Sequence, residues 1–532
     1  MSLRNFFARK KIKRLKSKFG ETPVITYFSG DLENIRTYSD FRKQSESDVF
    51  MLDEITWNDL GMNDVFKLIN RGMTSPGEGY LYYMLRTPAV EEEVYSRREE
   101  LISLMHKSPE TRINTELELL KLGRRRSVDV SAVLEPKASG WRLALYILMC
   151  GLLIASGISI FFVNQAVYAF IAVLIANNLL RTAVKKSIER ELLSVNYASS
   201  VIKTTHAIKK TGGSKLKNPL ANAFSALDRL KGVLRIGGAV MLSKNTVQEY
   251  LSACFLVDLI TYELLAGTLA RHSRDVMDVY EGVGLLDAAA AIASYRERLA
   301  GEWASPQIRF NRASQAFFRA RDMRHPFIEN AVPNSIDMDR AVLLTGSNAS
   351  GKSTFLKVAA VSAIMAQGIC TAVCSDYEAD AFHIFTSMAI SDSIEQGDSY
   401  YISEIKSLKR ILDFTSENTH VFCCIDEVLR GTNTVERIAA SSELLGALSD
   451  PQTLCIAATH DIELCRILAD KFEMKRFEER IVDGEMHFDY QLKDGAASSR
   501  NAIKLLEIMG FDHEITKNAE KRARNYIDNG NW

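Results

Sequence analysis

The sequence lacks a net charge, because its 66 basic residues are balanced by 66 acidic residues. This balance excludes a global field that would draw the whole chain onto nucleic acid, although local basic patches can still make such contacts. The apolar content of 47% is too high for a disordered chain and supports a sizeable buried core. For a chain of 532 residues we expect two or three domains.

The eight cysteines lack the paired CxxC spacing of zinc-binding or redox motifs. Cys370 and Cys374 are four residues apart and could share a helix face, but no matching pair of His or Cys residues follows them. Most of the cysteines lie in apolar runs, so we interpret them as reduced thiols in a protein core. We therefore expect no metal site that rests on cysteine.

The N-terminus lacks the apolar segment and the small-residue cleavage site of a signal peptide. Its first twenty residues instead interleave apolar side chains with Arg4, Arg9, Lys10, Lys11, Lys13, Arg14, Lys16 and Lys18. This pattern predicts a basic amphipathic helix within a basic N-terminal segment, which we place at residues 1–45. Contact with anionic lipid, contact with nucleic acid and a solvated tail remain alternatives for this helix.

The 21 residues from Leu143 to Val163 contain no charge. As a helix they would extend about 30 Å, which is the thickness of the hydrocarbon core of a bilayer. A turn with Asn164 and Gln165 separates them from a second apolar run. Arg and Lys residues flank the pair but are absent from the turn, so we predict a transmembrane helical hairpin at residues 141–183 with both flanks in the cytoplasm. The alternative is a pair of wholly buried helices in a large soluble domain.

No proline lies between Pro219 and Pro306, and apolar residues recur at helical spacing through this stretch. The pattern predicts long packed helices. We therefore expect an α-helical domain around the hairpin, with a first part at residues 46–140 and a second part at residues 184–305.

A glycine-rich loop follows the apolar run that ends at Leu344, and helical periodicity follows the loop. A strand, such a loop and a helix in this order bind phosphate, because backbone amides and the helix N-terminus face the phosphate oxygens. In this arrangement Lys352 reaches the β- and γ-phosphates, and the Ser353 hydroxyl ligates Mg²⁺. The residues that we assign to ATP are Gly346, Ser347, Asn348, Ala349, Ser350, Gly351, Lys352, Ser353 and Thr354.

Two further apolar runs end in polar residues, as buried parallel strands do at the active edge of an α/β sheet. One run ends in Asp426 and Glu427, and the other is followed by His460. Asp426 would hold Mg²⁺, and Glu427 would polarise the attacking water as general base. His460 would contact the γ-phosphate or that water. The predicted catalytic residues are Glu427, His460 and Lys352.

These motifs resemble the ATPase domain of MutS-type proteins. The resemblance rests on residues 324–329 (RHPFIE), 345–354 (TGSNASGKST), 426–434 (DEVLRGTNT) and 458–464 (ATHDIEL). It implies an α/β P-loop ATPase domain of the ABC class at residues 306–515, with ATP and Mg²⁺ as cofactors. It also implies that Val332 and Asn334 flank the adenine, and that residues 516–532 form a helical dimerisation tail.

Residues 398–404 (DSYYISE) resemble the signature motif of the same family. The resemblance implies that Ser399 and Glu404 act in trans, with Ser399 addressing the γ-phosphate bound by the opposite subunit. The chain would therefore work as a homodimer with composite ATP sites. ATP would close the dimer and hydrolysis would reopen it, which would move the attached helices.

Upstream, residues 74–88 resemble the start of the family's helical core, and residues 284–287 resemble the end of its lever. The sequence departs from the family because it lacks a Phe-x-Glu mismatch-reading motif near the N-terminus and because it carries the apolar hairpin. We therefore expect a short, membrane-anchored relative that reads no mismatches and switches a protein or membrane partner. The alternative is an ATPase that binds branched, damaged or mismatched DNA.

Overall fold

The computed structural model describes residues 3–45, 49–125, 128, 130–212, 214–234, 246–311, 315–347, 350–388, 400–415, 419–430, 432–482, 485–497 and 502–529. The chain forms two compact units. Unit 1 comprises Met1–Val49, Phe66–Met84 and Arg97–Arg298, and unit 2 comprises Phe50–Val65, Leu85–Ser96 and Leu299–Trp532. The predicted segment 46–140 therefore contributes to both units, a division that local periodicity does not reveal.

The N-terminal part of the chain is helical where the structure describes it. Its helices are α1 (Leu3–Lys18), α2 (Asp31–Ser45), α3 (Glu54–Asp59), α4 (Met62–Ile69), α5 (Ser75–Arg86), α6 (Glu92–Lys107), α7 (Pro109–Leu122), α8 (Val130–Leu134), α9 (Gly140–Ser159), α10 (Ala166–Ser187), α11 (Glu189–Thr211), α12 (Ala221–Arg229), α13 (Thr246–Phe255), α14 (Val257–Arg271) and α15 (Ser273–Arg298), with a short 3-10 helix at Ser214–Leu216.

Helix α15 is the central element of unit 1, and its residues 282–296 are all buried. Such burial requires close approach of neighbouring elements, and small side chains allow it. A Cβ on Gly284 would lie 2.8 Å from the Cβ of Tyr80 on α5. In addition, Asp287 accepts hydrogen bonds from the backbone N and the hydroxyl of Thr74, each at 2.7 Å. The two upstream segments that resemble the family's core and lever are therefore in direct contact.

The basic N-terminal segment forms the predicted helix α1, which packs against α7. Leu15 is buried, and the Arg112 guanidinium of α7 stacks over the Phe19 ring that follows the helix, 3.4 Å from its centroid. The basic side chains described on α1 are exposed, namely Arg9, Lys10, Lys11, Lys13, Arg14, Lys16 and Lys18. One face of α1 is therefore anchored in unit 1 while the charged face meets solvent.

Helices α9 and α10 are the two apolar helices of the predicted hairpin. Both are long and apolar enough to cross a membrane, and only 11% and 6% of their apolar windows are buried. The connecting turn exposes 88% of Phe161 and 83% of Phe162. These values are the opposite of those expected for wholly buried helices. Polar contacts join the hairpin to its neighbours, since Asn177 Nδ2 donates to the Cys254 carbonyl and Arg181 pairs with Asp258.

The C-terminal part of the chain is an α/β assembly. Its elements are β1 (Gln307–Arg309), β2 (Phe318–Met323), β3 (Asn334–Met338), β4 (Val342–Thr345), α16 (Lys352–Ile369), β5 (Asp376–Asp380), β6 (His383–Ser387), α17 (Tyr400–Thr415), β7 (Val421–Asp426), α18 (Thr434–Ala447), β8 (Thr453–Ala458), α19 (Ile462–Ile467), β9 (Glu473–Arg476), β10 (Glu479–Val482), β11 (Glu485–Phe488), β12 (Lys493–Asp494), α20 (Ala502–Ile508) and α21 (His513–Asn529).

The principal sheet of unit 2 has the strand order β12-β9-β4-β8-β7-β6. Its strands are parallel except for the edge strand β12. Every residue of β7 and β8 is buried, as the continuous apolar runs predict for central parallel strands. A second sheet has the order β1-β5-β2-β3, and β10 and β11 form a hairpin. The eight cysteines are free thiols, and the six from Cys370 onward are buried.

The buried carboxyl of Glu116 on α7 makes the stability of unit 1 depend on pH. Burial raises the pKa of Glu116 from 4.5 to about 7, against the opposing charges of Arg71 and Arg112. Between these two values the folded chain binds a proton that the unfolded chain has released, so stability falls as pH rises through this window. We expect Glu116→Gln to flatten this fall, which is worth roughly 1 kcal/mol per pH unit.

Thermal unfolding of the full chain between about pH 5 and pH 8 measures this dependence. Glu110→Gln, at the exposed start of the same helix, is the matched control and should leave the pH dependence unchanged. A Glu116→Gln variant with the slope of the wild type would contradict the assignment.

Candidate functional site

The site is built on the register of three adjacent parallel strands. Leu344 of β4 and Asp426 of β7 both pair with Ala458 of the intervening strand β8. Beyond this row, the Thr459 amide donates to the Leu344 carbonyl at 2.9 Å, and the Glu427 amide donates to the Ala458 carbonyl at 3.0 Å. The carboxyl ends of the three strands therefore meet at one edge of the sheet, as the sequence predicts.

The loop between β4 and α16 depends on two glycines. Gly346 has φ +147°, and a Cβ there would lie 2.7 Å from the Phe477 carbonyl oxygen. Gly351 has φ +109° and caps the N-terminus of α16. Both backbone conformations are readily accessible to glycine alone. The backbone can therefore curl at both ends of the loop and turn directly into the helix.

Lys352 is buried at the start of α16, and its Nζ donates to the carbonyls of Gly346 and Ser347, each at 2.8 Å. Burial lowers the pKa of this ammonium, while Glu427 and Asp426 act in the opposite direction. Nearby, the Ser350 hydroxyl is buried and has no hydrogen-bond partner in the part of the chain that the structure describes. A polar atom buried in this way fits a site that takes a polar ligand.

Glu427 lies immediately after β7 in a left-handed backbone conformation, with φ +54°. One carboxylate oxygen contacts His460 Nε2, and the other forms an ion pair with Arg430, 2.6 Å from its Nε. Burial acts to raise the pKa of this carboxyl, but His460, Arg430 and Lys352 outweigh burial and bring the pKa below its ordinary value. Glu427 is therefore ionised at neutral pH, with both of its oxygens engaged.

His460 connects the acidic pair to the glycine loop. Its Nδ1 lies 3.1 Å from the Gly346 carbonyl oxygen, while its Nε2 contacts Glu427. His460 thus lies between the Gly346 carbonyl and the Glu427 carboxylate, while its predicted contact with the γ-phosphate or the attacking water stays a prediction.

A cavity of about 1380 Å³ opens in unit 2 beside these residues. This volume exceeds the roughly 300–1,000 Å³ of common small-molecule sites and has room for a nucleotide. Several of the residues that the sequence assigns to the site line this cavity, namely Val332, Asn334, Ser347, Gly351, Lys352, Ser353, Thr354, Asp426 and Glu427. Asn334 also fixes the cavity wall, since its side chain donates to the Tyr490 carbonyl and accepts from the Leu492 amide.

Three predicted site residues lie outside the described part of the chain, and a fourth, Glu404, makes a contact within its own chain. Asn348, Ala349 and Ser399 fall among the residues that the structure does not describe. Glu404 is buried and accepts a hydrogen bond from the Leu429 amide of the same chain. The trans roles of Ser399 and Glu404 therefore stay predictions.

Sequence reasoning missed several residues of the site. Arg430 lies inside a quoted motif, but its ion pair with Glu427 is visible only in the folded chain. Glu479 accepts from the Ser347 hydroxyl at 2.8 Å. Helix α3 supplies a further wall of the cavity, with Glu54, Asn58 and Asp59. No local sequence pattern indicates that α3 contributes to this cavity, because nearly 300 residues separate the helix from the glycine loop.

The donor set fits Mg²⁺ in the presence of a phosphate ligand. Asp426 and Ser353 both line the cavity and present hard oxygen atoms. Among the described residues, no group of three or more His, Cys, Asp or Glu side chains could hold a metal ion by itself. Mg²⁺ is usually held by one or two carboxylates together with substrate phosphates, so two oxygen donors suffice here.

Comparison with known proteins finds similarity in the part of the chain that contains this site. Residues 342–526 match the family described as MutS domain V. The chain is similar to the DNA mismatch repair protein MutS of Thermus thermophilus, with 30% identity over 206 residues, which cover 38% of this chain and 25% of the relative. The protein of the same name from Pseudothermotoga lettingae is 32% identical over 219 residues, which cover 39% of this chain and 26% of that relative.

The protein of that name from Chloroflexus aurantiacus is 29% identical over 275 residues, covering 48% of this chain and 27% of the relative. The alignments thus span about a quarter of the length of these relatives. The matched region contains the glycine loop, the acidic pair and His460. Residues 342–526 of the chain therefore form a region of the family described as MutS domain V.

Proposed function

We propose that the chain is an ATP-hydrolysing dimeric switch of the ABC class, anchored in a membrane with its ATPase domain and N-terminus in the cytoplasm. The observation that carries ATP hydrolysis is the meeting of Lys352, Asp426 and Glu427 at one edge of a parallel sheet, beside a cavity large enough for a nucleotide.

Each residue has a distinct task in this proposal. Lys352 and the loop amides bind the β- and γ-phosphates, and Asp426 and Ser353 hold Mg²⁺. A Mg²⁺ ion held by these residues would supply positive charge to the phosphate oxygens. Glu427 accepts a proton from the attacking water, and His460 orients that carboxylate. Arg430 pairs with one oxygen of Glu427 at 2.6 Å and lowers the pKa of this carboxyl, so release of the ion pair would make Glu427 a stronger base.

Dimerisation is supported by the signature motif around Ser399 and by the family resemblance. In this proposal ATP bound by one subunit is covered by the signature of the other, so nucleotide state and dimer closure are coupled. The long buried helix α15 would transmit closure within unit 1. In this proposal, dimer closure acts on a protein or membrane partner.

Membrane anchoring is supported by the low burial of α9 and α10 and by the exposed phenylalanines of their turn. Exposed apolar surface of this extent is costly in water and favourable in lipid. The polar contacts of Asn177 and Arg181 face α13 and α14, so these two polar side chains lie away from the exposed apolar face.

A DNA-binding ATPase is the second candidate function. It is favoured by the exposed basic face of α1 and by the relatives, which are DNA mismatch repair proteins by name. The neutral net charge of the chain favours the first candidate. In both candidates the nucleotide chemistry is the same, and only the partner differs.

Glu427→Gln should bind ATP normally but hydrolyse it roughly 10²- to 10⁴-fold more slowly, because the amide cannot act as general base. The variant should also accumulate as a dimer with ATP, since the closed state no longer reopens by hydrolysis. Phosphate release and light scattering measure the two effects. Lys352→Ala is the companion variant, which should lose ATP binding itself. Wild-type turnover in Glu427→Gln would remove Glu427 as the base.

The anchor is tested by fractionation of the full chain. We expect the intact protein to sediment with membranes and to require detergent for release. Ile154→Arg combined with Ile171→Arg should shift it to the supernatant, because a charge at the centre of a spanning helix costs roughly 2.5–3.5 kcal/mol. Ile467→Arg, at an exposed apolar residue of unit 2, is the matched control. Intact protein that is soluble without detergent would refute the anchor.

The two candidate functions are separated by adding DNA at physiological salt. We expect neither duplex nor branched DNA to change the ATPase rate or to be retarded by the protein in a gel. If DNA changes the ATPase rate and is also retarded by the protein in a gel, the second candidate is favoured. Salt must be fixed, since phosphate contacts weaken steeply as salt rises.

A further inference from the structure

The turn that follows β7 has an unusual backbone. Glu427 has φ +54° and Leu429 has φ +58°, so two non-glycine residues within three positions adopt the left-handed conformation. This conformation is disfavoured for residues with a β-carbon and persists only where surrounding contacts hold it. The turn also carries Arg430, the ion-pair partner of Glu427. The direction of the Glu427 carboxylate therefore depends on whatever holds this turn.

Three hydrogen bonds hold the turn from outside. The Glu427 amide donates to the Ala458 carbonyl of β8 at 3.0 Å, and the Ser441 hydroxyl of α18 donates to the Val428 carbonyl at 3.3 Å. The third is the bond from the Leu429 amide to the Glu404 carboxylate of α17. Burial raises the pKa of this Glu404 carboxyl, while the bonds from the Leu429 and Arg430 amides and the charge of Arg430 act in the opposite direction.

Glu404 is placed to act on the turn and on the adjoining Arg430. Its side chain is 6% exposed, and Leu429 is 2% exposed, so water does not compete for the bond between them. Glu404 does not line the cavity, whereas its neighbour Ser403 does. The contacts of Glu404 thus join a cavity-lining turn of α17 to the backbone beneath Glu427.

The rest of α17 is fixed elsewhere in unit 2. Leu408 and Ile411 pack into the core cluster of the sheet, and Arg410 contacts the Asp53 carboxylate and the Thr386 carbonyl. The first turns of the helix are thereby oriented from its far end. A shift of these first turns would move the acceptor of the Leu429 amide.

We infer that Glu404 is a positioning residue, which through the Leu429 amide holds the left-handed turn that aims Glu427 at the cavity. The inference rests on the proposed ATP hydrolysis with Glu427 as general base. It also gives α17 a regulatory role within one subunit. Any ligand or partner that displaces the first turns of α17 changes the aim of Glu427, without touching Glu427 itself.

Steady-state hydrolysis of ATP by the full chain tests this role in Glu404→Ala and Glu404→Gln. We expect Glu404→Ala to lower kcat by roughly 10- to 100-fold, since small misplacement of a catalytic group has effects of this size. The KM for ATP and the affinity for a non-hydrolysable ATP analogue should change by less than about twofold, because Glu404 does not line the cavity. Glu404→Gln keeps an oxygen acceptor and should restore most of kcat.

Lys409→Ala is the control on the same helix, because Lys409 is exposed and pairs only with Asp413 among the described contacts. It should leave kcat unchanged. An unchanged kcat in Glu404→Ala would overturn the inference, and so would a Glu404→Gln variant as slow as Glu404→Ala. Equal losses of analogue affinity and of kcat would also overturn it, since they indicate a disrupted site.

A double variant separates this inference from the proposed function. In a Glu427→Gln background, adding Glu404→Ala should cause no further loss of kcat, because the group that Glu404 positions is already inactive. A further loss of the full single-variant size would overturn the positioning role. If Glu427→Gln alone retains wild-type turnover, the proposed general base fails and the inference fails with it. If Glu427→Gln is slow while Glu404→Ala is not, the inference alone fails.

Discussion

The registration of β4, β8 and β7 is the constraint on which the rest of unit 2 depends. These strands are parallel neighbours, and one row of the sheet contains Leu344, Ala458 and Asp426. Successive side chains of a strand point to opposite faces, so a slip of one residue would turn Asp426 away from the loop. The buried apolar residues of all three strands oppose such a slip, because it would exchange their packing on both faces. The core of the sheet thus fixes the chemistry at its edge.

The parts of this arrangement that the sequence predicts are those with local patterns. Continuous apolar runs mark β7 and β8, and the glycines of the loop mark positions where only an unusual backbone fits. Contacts between distant segments leave no such pattern. Helix α3 reaches the cavity from a separate stretch of the chain, and the bond between Glu404 and Leu429 depends on how α17 packs. The division of residues 46–140 between two units is missed for the same reason.

The apolar hairpin shows a further limit of sequence patterns. A charge-free run indicates that a helix prefers an apolar environment, but protein core and lipid both supply one. Burial in the folded chain separates the two, and here most of the apolar surface of α9 and α10 has no protein cover in the described structure. The buried Asn177 instead donates to the Cys254 carbonyl of α13. This segregation of polar and apolar contacts follows from the folded structure and not from composition.

The charged side chains of the site already have polar or charged partners in this structure, and a bound nucleotide would compete with these partners. Lys352 donates to two loop carbonyls, and Glu427 is engaged by both Arg430 and His460. A polyphosphate would offer Lys352 and Arg430 a stronger partner than a carbonyl or a shared carboxylate, because its charge is greater. Transfer of Arg430 to such a partner would free one oxygen of Glu427. The left-handed turn from Glu427 to Leu429 would then hold that oxygen in place, since its amides donate to the Ala458 carbonyl and to the Glu404 carboxyl. In the proposed hydrolysis, Arg430 would therefore link the binding of a polyphosphate to the activation of Glu427 as a base, while the turn would hold the direction of the Glu427 carboxylate.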